Sequence, residues 1–240
     1  MDLSIVIPAF NEGLKVARDV AAAARFLVSS HLTGEILVVD DGSSDSTAEA
    51  AGALPVPAGV ERRVIWLEAN QGKGAAVRAG MLESRGDYAM FADSGVCVPY
   101  ENALRGLDLL RSGQCDLAHG SRKMRESVIR IGQPLHRRVM SRLFRWAAHL
   151  TVGIPSELTD TQCGFKLYRG PVARELFEAC ETRGFLFDVE VLLLALARGY
   201  RVREFPVEWA CDLDSRLRPA RTGYHVLAQL LAIKRRLARG

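Results

Sequence analysis

Three points in the first hundred residues carry carboxylates directly after a short apolar run. Asn11 and Glu12 follow the run that starts at Leu3, Asp40 and Asp41 follow residues 36–39, and Asp93 follows residues 88–92. Adjacent acids at one point are costly to bury unless a polar ligand, a cation or a cap accounts for them. Ser43 and Asp45 can cap the helix that comes next, and a cap needs one acid, so capping alone does not explain both Asp40 and Asp41. Acids so placed suit hydroxyl groups and a divalent cation, with phosphates held through the cation and basic side chains. Lys73 supplies one basic side chain, in the turn Gly72-Lys73-Gly74. A Gly-rich turn opening a helix can take an anion, but this one has neither the P-loop nor the dinucleotide-binding pattern. Asp160 and Gln162, beside Gly164, suggest a further site, with a plain Asx-type turn as the other reading.

The elements that must position these residues follow from periodicity. Apolar runs at 3–9, 36–39, 64–67 and 88–92 read as buried strands. Helices are expected at 15–28, 47–53 and after the turn at 72–74. Strands alternating with helices at this pitch mean a doubly wound, mostly parallel sheet, and ligands of such sheets bind outside the carboxyl ends of the strands. The second half predicts helices at 101–110, 135–150, 173–180, 184–197 and 224–237, with strands at 116–121, leading to 168, and at 201–209. Asp188 and Glu190 lie near the start of the 184–197 helix, where acids complement the positive end of the dipole. Residues 212–221 read as a charged loop.

Length and composition bound the class. The chain has 240 residues, 48% hydrophobic and 25% charged, as expected of one soluble α/β domain. No apolar run is long enough to span a bilayer and the first residues enter a strand, so neither a signal peptide nor a transmembrane anchor is expected. Five cysteines without CxxC spacing fit a reduced cytosolic compartment and not a structural zinc. The net charge is only +4, but Arg122, Lys123, Arg125, Arg130, Arg137, Arg138, Arg142 and Arg145 cluster. On a 135–150 helix, Leu135, Val139, Leu143, Trp146 and Leu150 share one face and Arg138, Arg142 and Arg145 the opposite one. Two readings stay open: a membrane-surface helix, or a helix packed on the core with a solvated basic back. Nucleic acid is disfavoured, because aromatic residues are not interleaved with the basic run.

Taken in order, Ile7-Pro8-Ala9-Phe10-Asn11-Glu12, Val39-Asp40-Asp41-Gly42-Ser43-Ser44-Asp45, Asn70-Gln71-Gly72-Lys73-Gly74, Phe91-Ala92-Asp93 and Asp160-Thr161-Gln162-Cys163-Gly164-Phe165-Lys166 form a set. It resembles the inverting family 2 glycosyltransferases of GT-A fold, and among these the polyprenyl- (dolichyl-) phosphate sugar synthases, especially the dolichyl-phosphate glucosyltransferase branch. The likeness runs from about Ser4 to Trp209. It implies an α/β GT-A (Rossmann-like) fold, a mostly parallel sheet flanked by helices, in a single domain over 1–240. Residues 1–115 would form the nucleotide-sugar half and 116–240 the acceptor half. The implied activity moves a hexose from a nucleotide sugar, UDP-glucose before a GDP-sugar, to a polyprenyl phosphate with inversion. The resemblance assigns Pro8, Ala9, Glu12, Asp40 and Asp41 to the base and ribose and Lys73 to the nucleotide. Asp93, with Ser94, corresponds to the metal motif for Mg²⁺ or Mn²⁺. Arg122 and Arg138 would face phosphate, Asp160 and Gln162 the acceptor, and Arg216 would lie in a loop closing over the donor. Implied partners are the donor, the polyprenyl phosphate and an anionic membrane surface, with the protein peripheral on the cytoplasmic (inner) face.

The chemistry suits these residues. A phosphate acceptor is already ionised near neutral pH, its second pKa being about 6, so arginines and a cation matter more than a base. A sugar hydroxyl would instead need a carboxylate to take its proton, and Asp160 would be that carboxylate. The metal motif departs from the family's Asp-x-Asp, reading Asp93-Ser94-Gly95. One carboxylate with diphosphate oxygens and waters can still hold Mg²⁺, with donor and metal binding as a unit. Transfer to a soluble or protein-linked sugar, and a nucleotide-sugar-binding protein with a degenerate metal site, are the alternatives.

Overall fold

The computed structural model describes residues 1–132, 135–211 and 223–237. Four parallel strands open the sheet: β1 (Leu3–Ala9), β2 (Gly34–Asp40), β3 (Val60–Trp66) and β4 (Tyr88–Ala92), in the order β3-β2-β1-β4. Beyond β4 the sheet continues through β7 (Phe165–Arg169), β5 (Leu117–Ser121) and β8 (Val202–Pro206). β7 runs antiparallel to both of its neighbours, while β8 is parallel to β5. The expectation of a mostly parallel sheet holds, with one reversed strand in its middle. The other elements are α1 (Val16–Ser29), α2 (Thr47–Ala53), α3 (Lys73–Leu82), α4 (Ala103–Arg111), α5 (Leu135–Val152), α6 (Gly170–Ala179), α7 (Phe187–Ala197), α8 (Gly223–Leu237), β6 (Val128–Ile131) and β9 (Glu208–Ala210).

Helices cover both faces, which is why the central strands are apolar without alternation. Ile5, Ile7, Ile36 and Val38 point to the layer holding Val16, Val20, Ala23 and Phe26 of α1. Val6, Leu37 and Val39 point the other way, against Val77 and Met81 of α3, Phe177 of α6 and Phe187 of α7. The small residues of α3 let it lie directly on the sheet: a Cβ on Gly80 would fall 2.4 Å from Val6 Cγ1.

Three elements differ from expectation. β3 begins at Val60, four residues ahead of the apolar run, because it is an edge strand that accommodates the exposed Glu61 and the half-buried Arg62 and Arg63. The strand expected over 201–209 is two strands. β8 stays in the main sheet up to Pro206, whose missing N–H ends the ladder, and β9 pairs with β6 in a separate two-stranded ribbon. β6 was not expected at all, since its partner lies some eighty residues away.

Helix α5 packs on α8 and α7 through Ala148, with Ile154, Val189, Leu230 and Ile233 in the same cluster. The stripe that an ordinary core helix would bury is turned outward here: Leu143, Trp146 and Leu150 are 54%, 65% and 66% exposed. For these three positions, packing onto the core is therefore excluded. No helix among the described residues is long and apolar enough to cross a membrane.

Candidate active site

The carboxyl ends of β1, β2 and β4 lie side by side, and the loops leaving them are stitched to one another. Pro8 and Ala9 pair with Val39 and Asp40. The N–H of Asn11 donates to Ser43 Oγ (2.7 Å), that of Ser44 to Asn11 Oδ1 (2.8 Å), and that of Glu12 to Thr47 Oγ1 (2.8 Å). Asn11 adopts φ +52°, which Asn tolerates better than most residues. Ser43 is thus engaged with the β1 loop, whereas Asp45 Oδ1 accepts from the N–H of Thr47, the first residue of α2 (3.1 Å).

The two adjacent acids do different jobs. Asp40 Oδ1 accepts from the Ser43 N–H at 2.9 Å and closes its own turn. Asp41 reaches the Gly-rich turn, accepting from the N–H groups of Gln71 (2.8 Å) and Gly72 (2.9 Å) and from Asn70 Nδ2 (3.1 Å). Burial raises the Asp41 carboxyl above its ordinary value, partly offset by those N–H bonds. Gly42 at φ +68° allows the loops to touch, since a Cβ there would meet Ala69 C at 2.4 Å. Asp41 therefore holds the turn that carries Lys73.

Lys73 Nζ lies 2.6 Å from Asp93 Oδ1 and near the Phe91 and Phe187 rings (5.9 and 5.8 Å to the centroids). Burial alone would lower the lysine pKa, but attraction by Asp93 and then Asp188 outweighs it, so the ammonium stays charged. The contact is an ion pair without hydrogen-bond directionality: Asp93 Oδ1 is a buried atom left without a hydrogen-bond partner. Its backbone N–H donates to Gly164 O at 2.9 Å. Gly164 is bare for a reason, because a Cβ there would fall 2.1 Å from the Asp93 carboxylate.

β7, being reversed, delivers the loop 160–164 to this same end of the sheet. Asp160 is gripped by Arg122 at the end of β5: Nε to Oδ2 and Nη2 to Oδ1, both 2.7 Å, and the backbone N–H to Oδ2, 2.9 Å. Burial alone would raise Asp160, but these bonds outweigh it and hold the carboxyl below the ordinary range. Glu204 of β8 supports the loop by accepting from the Asp160 N–H and Thr159 Oγ1, both 2.7 Å. The Arg122 guanidinium also lies 5.3 Å from the Trp209 ring centre, a cation–π placement. Gln162 Nε2 is buried without a hydrogen-bond partner among the described residues.

Underneath lies an ion pair the sequence pattern did not announce. Lys166, 1% exposed, pairs with Asp188 at the start of α7 and donates to Thr161 O at 2.8 Å. Asp188 is thus committed to a lysine as well as to the helix end, and burial leaves its carboxyl raised even so. Glu190 accepts from the Thr182 N–H (2.7 Å) and from Arg236 Nη2 (2.9 Å). Burial above all pushes the Cys163 thiol up to about 12, and charge on Arg122, Asp160, Lys166 and Asp93 also bears on it, so Asp93 and the 160–164 loop share one neighbourhood. His119, buried in β5, is kept neutral by its burial and by Lys166.

Of the sequence-predicted residues, Pro8, Ala9, Glu12, Asp40, Asp41, Lys73, Asp93, Ser94, Arg122, Asp160 and Gln162 converge here. Arg138 lies on α5 with its side chain outside the described residues, and Arg216 lies outside them altogether. One residue was missed. Asp19 of α1 is fully buried and accepts from the loop that follows Asp93. Its signal was its place on the apolar stripe with Val16, Val20 and Ala23.

A divalent cation can be tested against this donor set. Among the described residues no three His, Cys, Asp or Glu side chains converge on one point, so a cage built of protein ligands is excluded there. The single carboxylate of Asp93, paired among the described residues only with Lys73, fits instead a hard cation whose remaining ligands are diphosphate oxygens and waters.

A parallel sheet with a reversed strand, and acids and Lys73 at its carboxyl edge facing an Arg–Asp loop, define a glycosyltransferase of GT-A fold. Solved structures of that class are similar over nearly the whole chain. Mannosyl-3-phosphoglycerate synthase from Rubrobacter xylanophilus gives a TM-score of 0.69 at 18% identity, over 100% of this chain and 74% of that one. Glucosyl-3-phosphoglycerate synthase from Mycobacterium tuberculosis, in complex with Mn²⁺, UDP and glucosyl-3-phosphoglycerate, gives 0.65 at 21%, over 98% and 79%. Residues 4–177 match the profile described as Glycosyl transferase family 2, and the chain belongs to that family. Among curated relatives, dolichyl-phosphate beta-glucosyltransferase of Saccharomyces cerevisiae is 31% identical over 86% of this chain and 66% of its own length. The human protein of the same description is 31% identical over 99% and 76%. The chain thus spans about two thirds to three quarters of these relatives.

Proposed function

We propose that the protein transfers glucose from UDP-glucose to a polyprenyl phosphate at the surface of a membrane, with inversion at the anomeric carbon. The observation that carries this reading is the lock on Asp160. A carboxylate held below its ordinary pKa by three bonds from Arg122 is a poor base for a sugar hydroxyl. A phosphate monoester brings its own charge and needs none.

In this reading an anionic phosphate oxygen attacks the anomeric carbon from the face opposite the nucleoside diphosphate. The bond from that carbon to the diphosphate oxygen breaks, and the electron pair leaves with the diphosphate. Lys73 stands beside the leaving group. Arg122, with Nε and Nη2 committed to Asp160, offers Nη1 to a phosphate. Glu12 and the ends of β1 and β2 frame the nucleoside. Asp93 would hold Mg²⁺ or Mn²⁺ against the diphosphate, and such a cation supplies Lewis-acid stabilisation of the leaving charge. The outward stripe Leu143, Trp146 and Leu150 is where the protein would rest on the cytoplasmic leaflet, and 31% identity to the yeast and human glucosyltransferases supports the donor and acceptor classes.

The test supplies UDP-glucose labelled in the sugar with three acceptors: a polyprenyl phosphate in vesicles, 3-phosphoglycerate, and free glucose. Label in the vesicle fraction alone is expected. Label on free glucose, with none on the lipid, would overturn the reading.

A further inference from the structure

We propose that Asp19 is a positioning residue for the donor diphosphate, holding the Ser94–Cys97 turn and, through it, the Asp93 carboxylate. The inference rests on the reading that Asp93 serves that diphosphate.

Asp19 comes from α1, on a different element from the site, and its side chain is fully buried. Its Oδ1 accepts from the N–H groups of Gly95 (2.9 Å) and Val96 (2.8 Å), and its Oδ2 also faces the Gly95 N–H at 3.0 Å. Two successive backbone N–H groups aimed at one carboxylate make the kind of concavity that elsewhere binds a free anion. Here the chain fills it with its own acid. Arg18 Nη2 donates to Gly95 O at 3.0 Å, and the Ala210 N–H donates to Cys97 O at 2.8 Å. The turn is therefore gripped from α1 on one side and from β9 on the other.

The backbone shows that the grip has a purpose. Gly95 has φ +97° and Val96 φ +48°. A β-branched residue in the left-handed region is an outlier that persists only where its surroundings over-determine it, and such residues gather at functional sites. The same conformation bears on the missing second acid of the metal motif. That acid would stand at position 95, where φ is +97°, a backbone state that residues other than glycine rarely adopt. Position 95 thus suits glycine, and in this arrangement Asp93 is aimed by the backbone of its turn, with no neighbouring carboxylate to share the load. Partners one step removed from a metal ligand orient it in this way.

The experiment is calorimetric titration of the whole protein with UDP, with and without Mn²⁺, and with uridine. Wild type, Asp19→Ala, Asp19→Asn and Arg18→Ala are compared, each with a melting curve. Asp19→Ala is expected to weaken UDP binding in Mn²⁺ by about ten- to a hundred-fold, leaving uridine affinity unchanged because the nucleoside end does not use the turn. Asp19→Asn, whose Oδ1 can keep both N–H bonds, should recover most of the loss. Arg18→Ala removes an exposed side chain, so it should fold even if Asp19→Ala does not, and it should show the same selective weakening in smaller measure. Equal losses for UDP and uridine, or wild-type UDP affinity in the folded variants, would overturn the proposal. Failure of wild type itself to bind UDP with Mn²⁺ would mark the donor reading as the part at fault, and Asp19 would fall with it.

Discussion

Adding one methyl group at Gly164 should separate catalysis from folding. A Cβ at this position would sit 2.1 Å from Asp93 Cγ and Oδ2 and 2.2 Å from Oδ1, whereas ordinary contact begins at 3.4 Å. The carboxylate must then retreat by about 1.3 Å, the difference between 3.4 and 2.1, a displacement on the scale that costs about a hundred-fold in rate. It would also leave the Lys73 ammonium, now at 2.6 Å. The fold should survive. Overpacking of a filled core costs about 1–3 kcal/mol, and the Asp93 side chain, 38% exposed, has room to swing outward, which favours the low end. For a chain of this size that means a melting temperature lowered by roughly 2–4 °C per kcal/mol. Transfer of labelled glucose and thermal melting, measured on one preparation of Gly164→Ala, test the two halves together. In the background of Asp93→Ala the carboxylate that the methyl would meet is gone, so the added methyl should then cost less in both melting and residual rate than it does in wild type. Wild-type turnover in Gly164→Ala would refute the placement of Asp93 at the reacting centre.

Asp188→Asn should unfold more readily than any exposed-site change, because it strands the Lys166 ammonium in the core. Breaking a buried pair costs about 3–5 kcal/mol, or roughly 6–20 °C in melting temperature, and an unshifted melt would show that the pair contributes nothing. Asp19 makes stability depend on pH: its carboxyl is raised, mainly by burial, from 3.8 to about 6. The folded protein then binds the proton more tightly than the unfolded chain, so stability falls as pH rises from about 4 to 6, by about 3 kcal/mol in all. Charge on Arg18 and Glu12 also bears on this group, so the measurement is the difference in unfolding free energy between wild type and Asp19→Asn at pH 4 and pH 7. A difference that does not move toward the Asn variant at pH 7 would refute the assignment.

Much of this architecture was legible in the residues. The strands β1, β2 and β4 are buried on both faces and therefore read as unbroken apolar runs ending in polar residues, so both their position and their functional end could be seen. α1 and α5 followed from periodicity. What escaped did so for physical reasons. The start of β3 and the whole of β6 lie at edges and carry polar or exposed residues, and β6 takes its pairing from a remote segment. The direction of β7 is fixed by its neighbours and by nothing local in 165–169. Asp160 was readable as a candidate site residue, but the three bonds from Arg122 that hold its carboxyl below the ordinary range depend on contacts across 38 positions. Asp19 was hidden for the opposite reason: it sits in a helix that otherwise reads as plain core. On α5 the pattern revealed the apolar stripe, but only tertiary packing through Ala148 decides that Leu143, Trp146 and Leu150 face outward.

The reversed strand has a consequence for how the protein is made. When β4 leaves the ribosome it closes a parallel four-strand sheet whose outer edge has no partner, because that partner, β7, starts 73 residues after β4 ends, at Phe165 against Ala92. At about 5–20 residues per second of synthesis, the apolar edge of Ala89, Met90 and Phe91 stays open for roughly 4–15 s. Over that interval the nascent first half carries an unpaired apolar strand edge, the kind of surface that invites aggregation. Gly164 and Asp160 join the loops at the carboxyl end of the sheet with the same strand that covers that open edge.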